Sequence, residues 1–446
     1  MNSNFSIIWG TRQIKNSQVL LYVACAVKQL KGIGIKPGDI VGICDENSVE
    51  YIILLLSLWQ LKAVVAPISS RWPDKTISSY AARLNIKNIL RSGDVKRIVC
   101  FDARQQIEAG SYKDLELDQQ VTVVATSGSS GEAKAAVHTW GNYFYNAKGS
   151  NELISLGPSD RWLLSLPLFH VSGLAITTRC LLAGAALVIP NDDDLMAAIQ
   201  RAQVTHVSLV PTQLMRMLET QANHDLLRSL KCILIGGANI PSSLIEQGCQ
   251  LGLNMYVSYG LTEMASQVAT GKVMDTCKAA VKVLPYRQLK ISPEGEILVK
   301  GEVLFKGYLS GTKLHLPLNQ EGWFQTGDMG EFDPMGSLKV GGRRDSMFIS
   351  GGENIHPEEI ERALLNIKGI AEAIVVPRED KEFGHRPIAF IRYSGKPLTD
   401  DNIIRQLQMS LPHFKIPIAF FTWPQHLIAQ GIKISRQDFL KSISRR

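Results

Sequence analysis

Val121-Thr122-Val123-Val124, then Ala125, then Thr126-Ser127-Gly128-Ser129-Ser130-Gly131-Glu132-Ala133-Lys134: an apolar stretch of strand type opens onto a loop of glycines, hydroxyls and one lysine. Glycines let successive backbone N–H groups turn toward an anion, the hydroxyls of Thr126, Ser127, Ser129 and Ser130 add donors, and Lys134 brings a mobile positive charge. Polyphosphate is the ligand such a loop suits. It is not a Walker loop, because Gly128 and Gly131 stand too close together and Lys134 is followed by Ala135 instead of Ser or Thr. A flexible serine- and glycine-rich surface loop has the same composition, so the reading depends on what accompanies it.

Around this loop, strand-length apolar segments alternate with helical periodicity. Leu21, Ala24, Val27 and Leu30 recur at helical spacing within residues 18–33, and Gly34, Pro37 and Gly38 end the pattern. Residues 39–44 and 63–68 read as strands and 48–61 as a buried helix between them; strand-like runs return at 161–166, 186–190, 204–210 and 231–235. Strand alternating with helix implies parallel sheet covered on both faces, here two doubly wound sheets before about residue 270. Beyond Gly271 the chain turns to short glycine-broken β pieces (288–291, 296–300, 337–340), which suit a small β-barrel or antiparallel sheet. Gly341-Gly342-Arg343-Arg344-Asp345 reads as a flexible, charged boundary. After it come a helix at 357–365, strands at 371–377 and 388–393, and a helix at 400–411. The expected fold class is α/β, with a large domain over residues 1–343 and a small mobile α+β domain over residues 344–446.

Composition narrows the class. With 446 residues, 45% hydrophobic and 20% charged, the chain can fill sizeable cores, which excludes disorder, collagen and coiled coil. The apolar run from Tyr51 to Trp59 is far short of the roughly 20 residues of a bilayer span, and the start MNSNF has no basic stretch leading into an apolar core. Seven cysteines, odd in number and without a CxxC pair, predict neither a disulfide framework nor a zinc ribbon. A cytoplasmic protein is the expectation. The net charge of +7 suits an anionic partner, but lysine and arginine are spread along the chain, which favours a small anionic molecule over nucleic acid.

Further strings change the weight of the loop. Tyr259-Gly260-Leu261-Thr262-Glu263, Thr326-Gly327-Asp328, Gly342-Arg343-Arg344-Asp345 leading into Gly351-Gly352-Glu353-Asn354-Ile355, and Gly431-Ile432-Lys433 follow it in order. Together with the loop they resemble the motifs of the adenylate-forming superfamily: acyl-CoA synthetases, firefly-type luciferases and peptide-synthetase adenylation domains. That resemblance implies an enzyme that activates a carboxylate with ATP and Mg²⁺ as an acyl adenylate, then passes the acyl group to a thiol. It implies that Thr126, Ser127, Gly128, Ser129, Ser130, Gly131 and Lys134 close over the β and γ phosphates. Thr262 would meet the α-phosphate, Glu263 would hold the metal, and Asp328 and Arg343 would bind the ribose hydroxyls. Gly236, Gly237 and Ala238 would lie along adenine, near Tyr259 and Gly260. Lys433 would bridge the substrate carboxylate and the α-phosphate, Asp345 would be the hinge, and Gly351 and Gly352 would line the CoA tunnel. Two positions depart from the pattern: Ile432 stands where glycine usually precedes the terminal lysine, and Ala133 where proline usually precedes the loop lysine.

The resemblance also separates branches. Within Leu168-Phe169-His170-Val171 no acid stands where amino-acid-activating domains carry Asp, and little chain follows Lys433 for a carrier domain, so CoA is the expected acceptor and His170 the aromatic gate. Residues 165–173, 209–214, 381–387 and 431–436 are similar to the o-succinylbenzoate-activating branch, which serves menaquinone biosynthesis. Its acid carries a second, spectator carboxylate, for which Thr212, Ser266 and Gln267 are candidate donors. A generic aryl or medium-chain acyl-CoA synthetase and a non-catalytic nucleotide-binding relative stay as alternatives. Relatives of this kind often pair, so a homodimer is an expectation, with neither nucleic acid nor a membrane span.

Overall fold

Helix Val49–Gln60 lies in the largest core of the molecule, and every residue from Tyr51 to Trp59 is buried. Its sequence is apolar around the whole circumference, as a helix covered on all sides must be. The Ser48 hydroxyl caps it, accepting from Tyr51 N at 3.0 Å, an interaction worth about 1 kcal/mol. At the other end Trp59 donates its indole N–H to Val121 O at 3.0 Å, tying the helix to the strand that leads to the glycine loop. Truncating Trp59 to alanine would cost about 3–5 kcal/mol.

This computed structural model describes residues 2–99, 101, 115–126, 133–191, 194–238, 240–424 and 436–443. Two large sheets flank the central helices, and one core cluster takes in Val41 and Val65 of the first together with Ile7 and Leu187 of the second. The first sheet has seven strands in the order Lys313–His315, Gly307–Ser310, Lys134–Thr139, Gln120–Thr126, Val64–Pro67, Ile40–Cys44, Asn88–Arg91. The second has nine: Lys282–Val283, Ser266–Lys272, Met255–Leu261, Cys232–Ile235, His206–Leu209, Arg161–Leu163, Ala186–Ile189, Ser6–Trp9, Arg12–Lys15. The first is parallel from Gln120–Thr126 to the terminal strand Asn88–Arg91 and antiparallel toward its other end; the second is parallel inside and antiparallel toward both ends, which agrees with the α/β reading. The third β unit, read from sequence as a small β-barrel or antiparallel sheet, is the latter, four-stranded in the order Arg287–Ile291, Glu296–Gly301, Phe324–Phe332, Leu338–Arg343.

The C-terminal unit carries its own sheet and its own core, built on Ile360, Leu364, Val375, Ile391 and Ile403. Arg436 fastens its last helix, Arg436–Ile443, to helix Pro357–Leu365 through both carboxylate oxygens of Glu361 at 2.8 Å and through Glu358 at 2.9 Å.

Three expectations need correction. Residues 341–345 are not a flexible string: Gly342 and Arg343 are the last residues of strand Leu338–Arg343, paired with Met329 and Asp328. The run 161–166 stops being strand at Leu163, because Asn47 Nδ2 takes Leu166 O at 2.9 Å and Leu164 O at 3.4 Å. The cysteine count, read as giving no disulfide framework, needs correction at one pair: Cys249 and Cys277 form a disulfide, while Cys44, Cys180 and Cys232 are free. Helix Ser242–Gln250 ends beside the loop that follows strand Ser266–Lys272, and a meeting across 28 residues of chain is not written in cysteine spacing.

Candidate active site

Strands Arg161–Leu163, His206–Leu209, Cys232–Ile235 and Met255–Leu261 run parallel and side by side. Residues 164–170, 210–213, 236–238 and 262–263 therefore leave one edge of the sheet, the edge where open α/β folds bind ligands. His170 precedes helix Val171–Ala183 and packs against Phe169 with ring centroids 4.7 Å apart. Its turn is fixed twice: Asn47 Oδ1 accepts from Leu168 N at 2.9 Å, and Gly173 lies so close to Pro167 that a Cβ would sit 2.3 Å from its carbonyl oxygen. Gly236 follows strand Cys232–Ile235, and Gly237 and Ala238 are exposed. Thr212 and Ser266 are half-buried. Gln267 is buried and donates to Thr270 Oγ1 at 2.8 Å.

All three sheets meet at residues 259–263. Gly260 admits no side chain, since a Cβ would lie 2.1 Å from Ser266 O. The turn Thr262–Met264 is held from the first sheet and the helix that follows it. His138 Nε2 lies 2.7 Å from Thr262 O, and Asn146 Nδ2 donates to Met264 O at 3.0 Å. Glu263 O accepts from Phe305 N at 2.8 Å. Burial pushes the His138 pKa down to about 4, so the ring is neutral and serves Thr262 O as a donor.

Glu263 Oε1 accepts from the Tyr308 hydroxyl at 2.6 Å. The Lys134 ammonium stands 5.1 Å from the centre of the Tyr308 ring. Burial, and then the Glu263 charge, raise the Tyr308 pKa, which keeps its hydroxyl a donor. Lys134 faces Thr126 across the hairpin of strands Gln120–Thr126 and Lys134–Thr139. Arg83 donates to Ala133 O, next to the start of the second strand.

From the four-stranded sheet comes the third component. Asp328 Oδ2 accepts from Tyr259 Oη at 2.6 Å, and Asp328 Oδ1 from Arg343 Nη1 at 3.1 Å. Arg343 also donates to Thr326 O at 2.9 Å and to Asp345 Oδ2 at 3.2 Å. Burial works to lower the Arg343 pKa, but the Asp328 and Asp345 charges outweigh it and raise it. Burial, and then the Asp328 charge, hold the Tyr259 hydroxyl well above its ordinary pKa.

Tyr259, Gly260, Thr262, Glu263, Lys134, Asp328, Arg343 and Asp345 are therefore linked in one place. Gly351 and Gly352 form the tip of the hairpin Phe348–Ser350 to Glu353–Ile355, and Gly351 N donates to Phe383 O at 2.9 Å within the C-terminal unit. Ser127, Gly128, Ser129, Ser130, Gly131 and Lys433 lie outside the described residues.

Sequence reading missed the residues that hold these: Asn47, His138, Asn146 and Tyr308. It also missed Arg179, although a cation amid the apolar run of helix Val171–Ala183 was a visible signal. Arg179 is 2% exposed, lies over Trp162 at 5.3 Å, and has no hydrogen-bond partner at Nε or Nη2. Burial pushes Arg179 down to about 10; burial and then the Arg179 charge push Arg287 down to about 9.

The gathering of Lys134, Glu263, Asp328 and Arg343 around residues 259–263 at one sheet edge is the setting expected of an AMP-binding enzyme of the adenylate-forming class. Residues 6–309 match the family model described as AMP-binding enzyme, and residues 359–426 the AMP-binding enzyme C-terminal domain. The chain belongs to the 2-succinylbenzoate–CoA ligase family. The Salmonella typhimurium protein of that name is 38% identical over 91% of this chain and 87% of its own. Among solved structures, a variant of Escherichia coli MenE with bound OSB-AMS superposes with TM-score 0.87 at 30% identity, covering 100% of this chain and 96% of that one. Bacillus subtilis MenE with the acyl-adenylate intermediate OSB-AMP gives 0.84 at 28% identity, covering 94% and 91%. The same enzyme with ATP and magnesium ion gives 0.82 at 28%, covering 94% and 92%.

Proposed function

We propose that the protein ligates o-succinylbenzoate to CoA through an acyl adenylate, consuming ATP and releasing AMP and pyrophosphate, in menaquinone biosynthesis. The observation that carries this is the junction of three sheets at residues 259–263, with Lys134, Glu263, Asp328 and Arg343 around it, in a chain of this family. A carboxylate repels nucleophiles and has no good leaving group. Its oxygen attacks the α-phosphorus of ATP and pyrophosphate leaves; the CoA sulfur then adds to the acyl carbon, gives up its proton, and AMP leaves.

Both steps gather negative charge, so fixed donors count most where that charge develops. Thr262 serves the α-phosphate. Lys134 and Thr126, with Ser127, Gly128, Ser129, Ser130 and Gly131, serve the β and γ phosphates. Asp328 accepts from the ribose hydroxyls and Arg343 donates to them. Gly236, Gly237 and Ala238 lie along adenine, and Lys433 bridges the acid and the α-phosphate.

Glu263 fits Mg²⁺: the described residues hold no metal-binding cluster of His, Cys, Asp and Glu, and this ion takes one or two carboxylates plus phosphate oxygens. When bound, it withdraws charge from the phosphates.

On the acyl side His170 is the gate and Arg179 the partner of the spectator carboxylate, with Thr212, Ser266 and Gln267 as further lining. An unpaired buried guanidinium is costly, and an anionic substrate group relieves that cost. For the second step the unit over residues 344–446 turns about Asp345 and brings Gly351 and Gly352 to the pantetheine arm.

The described residues contain no helix long and apolar enough to cross a membrane. We assign the reaction to the cytoplasm, and a homodimer as its solution state. Sedimentation velocity tests the latter.

Pyrophosphate release with o-succinylbenzoate, benzoate and octanoate tests the activity. Strong release with the first alone is expected. Release with octanoate alone would mark a generic synthetase, and none with any acid a silent nucleotide binder.

A further inference from the structure

We propose that Tyr308 is a positioning residue that holds Glu263 with its hydroxyl and Lys134 with its ring, so that one side chain sets both the metal-binding carboxylate and the phosphate-binding lysine. This rests on the adenylation reading above. The Tyr308 hydroxyl donates to Glu263 Oε1 at 2.6 Å, and the Lys134 ammonium stands 5.1 Å from the ring centre. Both contacts are anchored by backbone. Strand Gly307–Ser310 pairs with strand Lys134–Thr139, Tyr308 opposite Ala136. Phe305 packs edge-on against the Tyr308 ring at 4.8 Å and donates its N–H to Glu263 O.

The ring also does something a simple spacer would not. Lys134 and Glu263 have opposite charges, and a direct ion pair would occupy the groups that Mg²⁺ and the triphosphate need. Among the described residues they form none; the ring face takes the ammonium and the hydroxyl takes the carboxylate. The arrangement keeps two opposite charges near each other, oriented, and available.

Phenylalanine and leucine at this position separate the two duties. Tyr308→Phe keeps the ring and loses the hydroxyl; Tyr308→Leu loses both. ATP binding to the full chain is titrated with Mg²⁺ and, separately, in EDTA, alongside thermal melts and the KM for o-succinylbenzoate. For Tyr308→Phe the Mg²⁺ concentration at half-saturation should rise about tenfold, the low end of what losing a ligand's hydrogen-bond partner costs. Its ATP affinity in EDTA should stay within about twofold of the parent. Tyr308→Leu should lose roughly tenfold in both titrations, as Lys134 and Glu263 close on each other. The KM for o-succinylbenzoate should not move in either variant. A Tyr308→Phe protein that matches the parent in Mg²⁺ dependence would overturn the proposal, and so would equal losses of both variants in EDTA. A parent without Mg²⁺-dependent ATP binding would sink the adenylation reading itself, and this inference with it.

Discussion

Arg343 reaches Asp345 at 3.2 Å with one terminal nitrogen while the other holds Asp328 at 3.1 Å. The guanidinium assigned to the ribose is thus tied to the residue assigned to the hinge. Gly342, beside it, has φ of 150° and lies so close to helix Pro357–Leu365 that a Cβ would meet Glu358 Oε2 at 2.7 Å. From that helix Arg362 donates to Val340 O at 2.6 Å and Gly341 O at 2.8 Å. The strand that ends in Arg343 is also the seat of the C-terminal unit, so the proposed rotation about Asp345 would break contacts made by the same strand.

Asp345→Pro therefore should leave adenylate formation nearly intact, since Arg343 keeps Asp328 and Thr326. Thioester formation should fall by roughly tenfold or more, because proline fixes the backbone angle the pivot must change. Pyrophosphate release and CoA thioester are measured separately in single turnovers. Equal loss in both would mean that Asp345 supports the clamp and not the turn.

His138 predicts an acid-side loss of stability. Its folded pKa of about 4 lies below the ordinary 6.5, so between those values the unfolded chain binds more protons. Stability is full above about pH 6.5 and is lost as the pH falls toward 4, by about 3 kcal/mol in all. Urea melts at pH 7 and pH 5 measure the slope. His138→Gln keeps an N–H donor but does not titrate, so its slope should be flatter across that window. An unchanged slope would assign the acid sensitivity to other groups.

Lys433→Ala should lower adenylate formation by about 10²–10³-fold, the usual loss for one transition-state donor. Thioester formation from supplied acyl adenylate should survive. The pair of rates decides, because a structural lysine would weaken both.

What could be read from sequence was local. Helices 48–61 and 357–365 were legible because their periodicity or apolar content and their caps lie within a few residues, and they stand at Val49–Gln60 and Pro357–Leu365. Tyr259, Glu263, Asp328 and Arg343 were legible because each sits in a motif string. The residues that hold them act over long chain distances. His138 meets Thr262 O across 124 residues and Asn146 meets Met264 O across 118, each through a main-chain carbonyl that carries no sequence signature. Tyr308 reads as an ordinary strand aromatic until the pairing of its strand with Lys134–Thr139 puts it under the lysine. The Cys249–Cys277 bond was hidden for the same reason.

Arg179 offers the sharpest test of acyl specificity. A buried guanidinium with free Nε and Nη2 should bind the spectator carboxylate of o-succinylbenzoate and be indifferent to benzoate, which has none. Arg179→Met fills similar space without the charge. Losing charged hydrogen bonds to substrate should raise the KM for o-succinylbenzoate roughly 10- to 100-fold, with benzoate turnover and the KM for ATP unchanged. Removing an unpaired buried cation should also leave the fold as stable as before or more so. Steady-state pyrophosphate release with the two acids, with a thermal melt alongside, measures all of this. If both acids lose activity in proportion, or the variant melts well below the parent, Arg179 is a packing residue of helix Val171–Ala183 and the spectator carboxylate binds elsewhere.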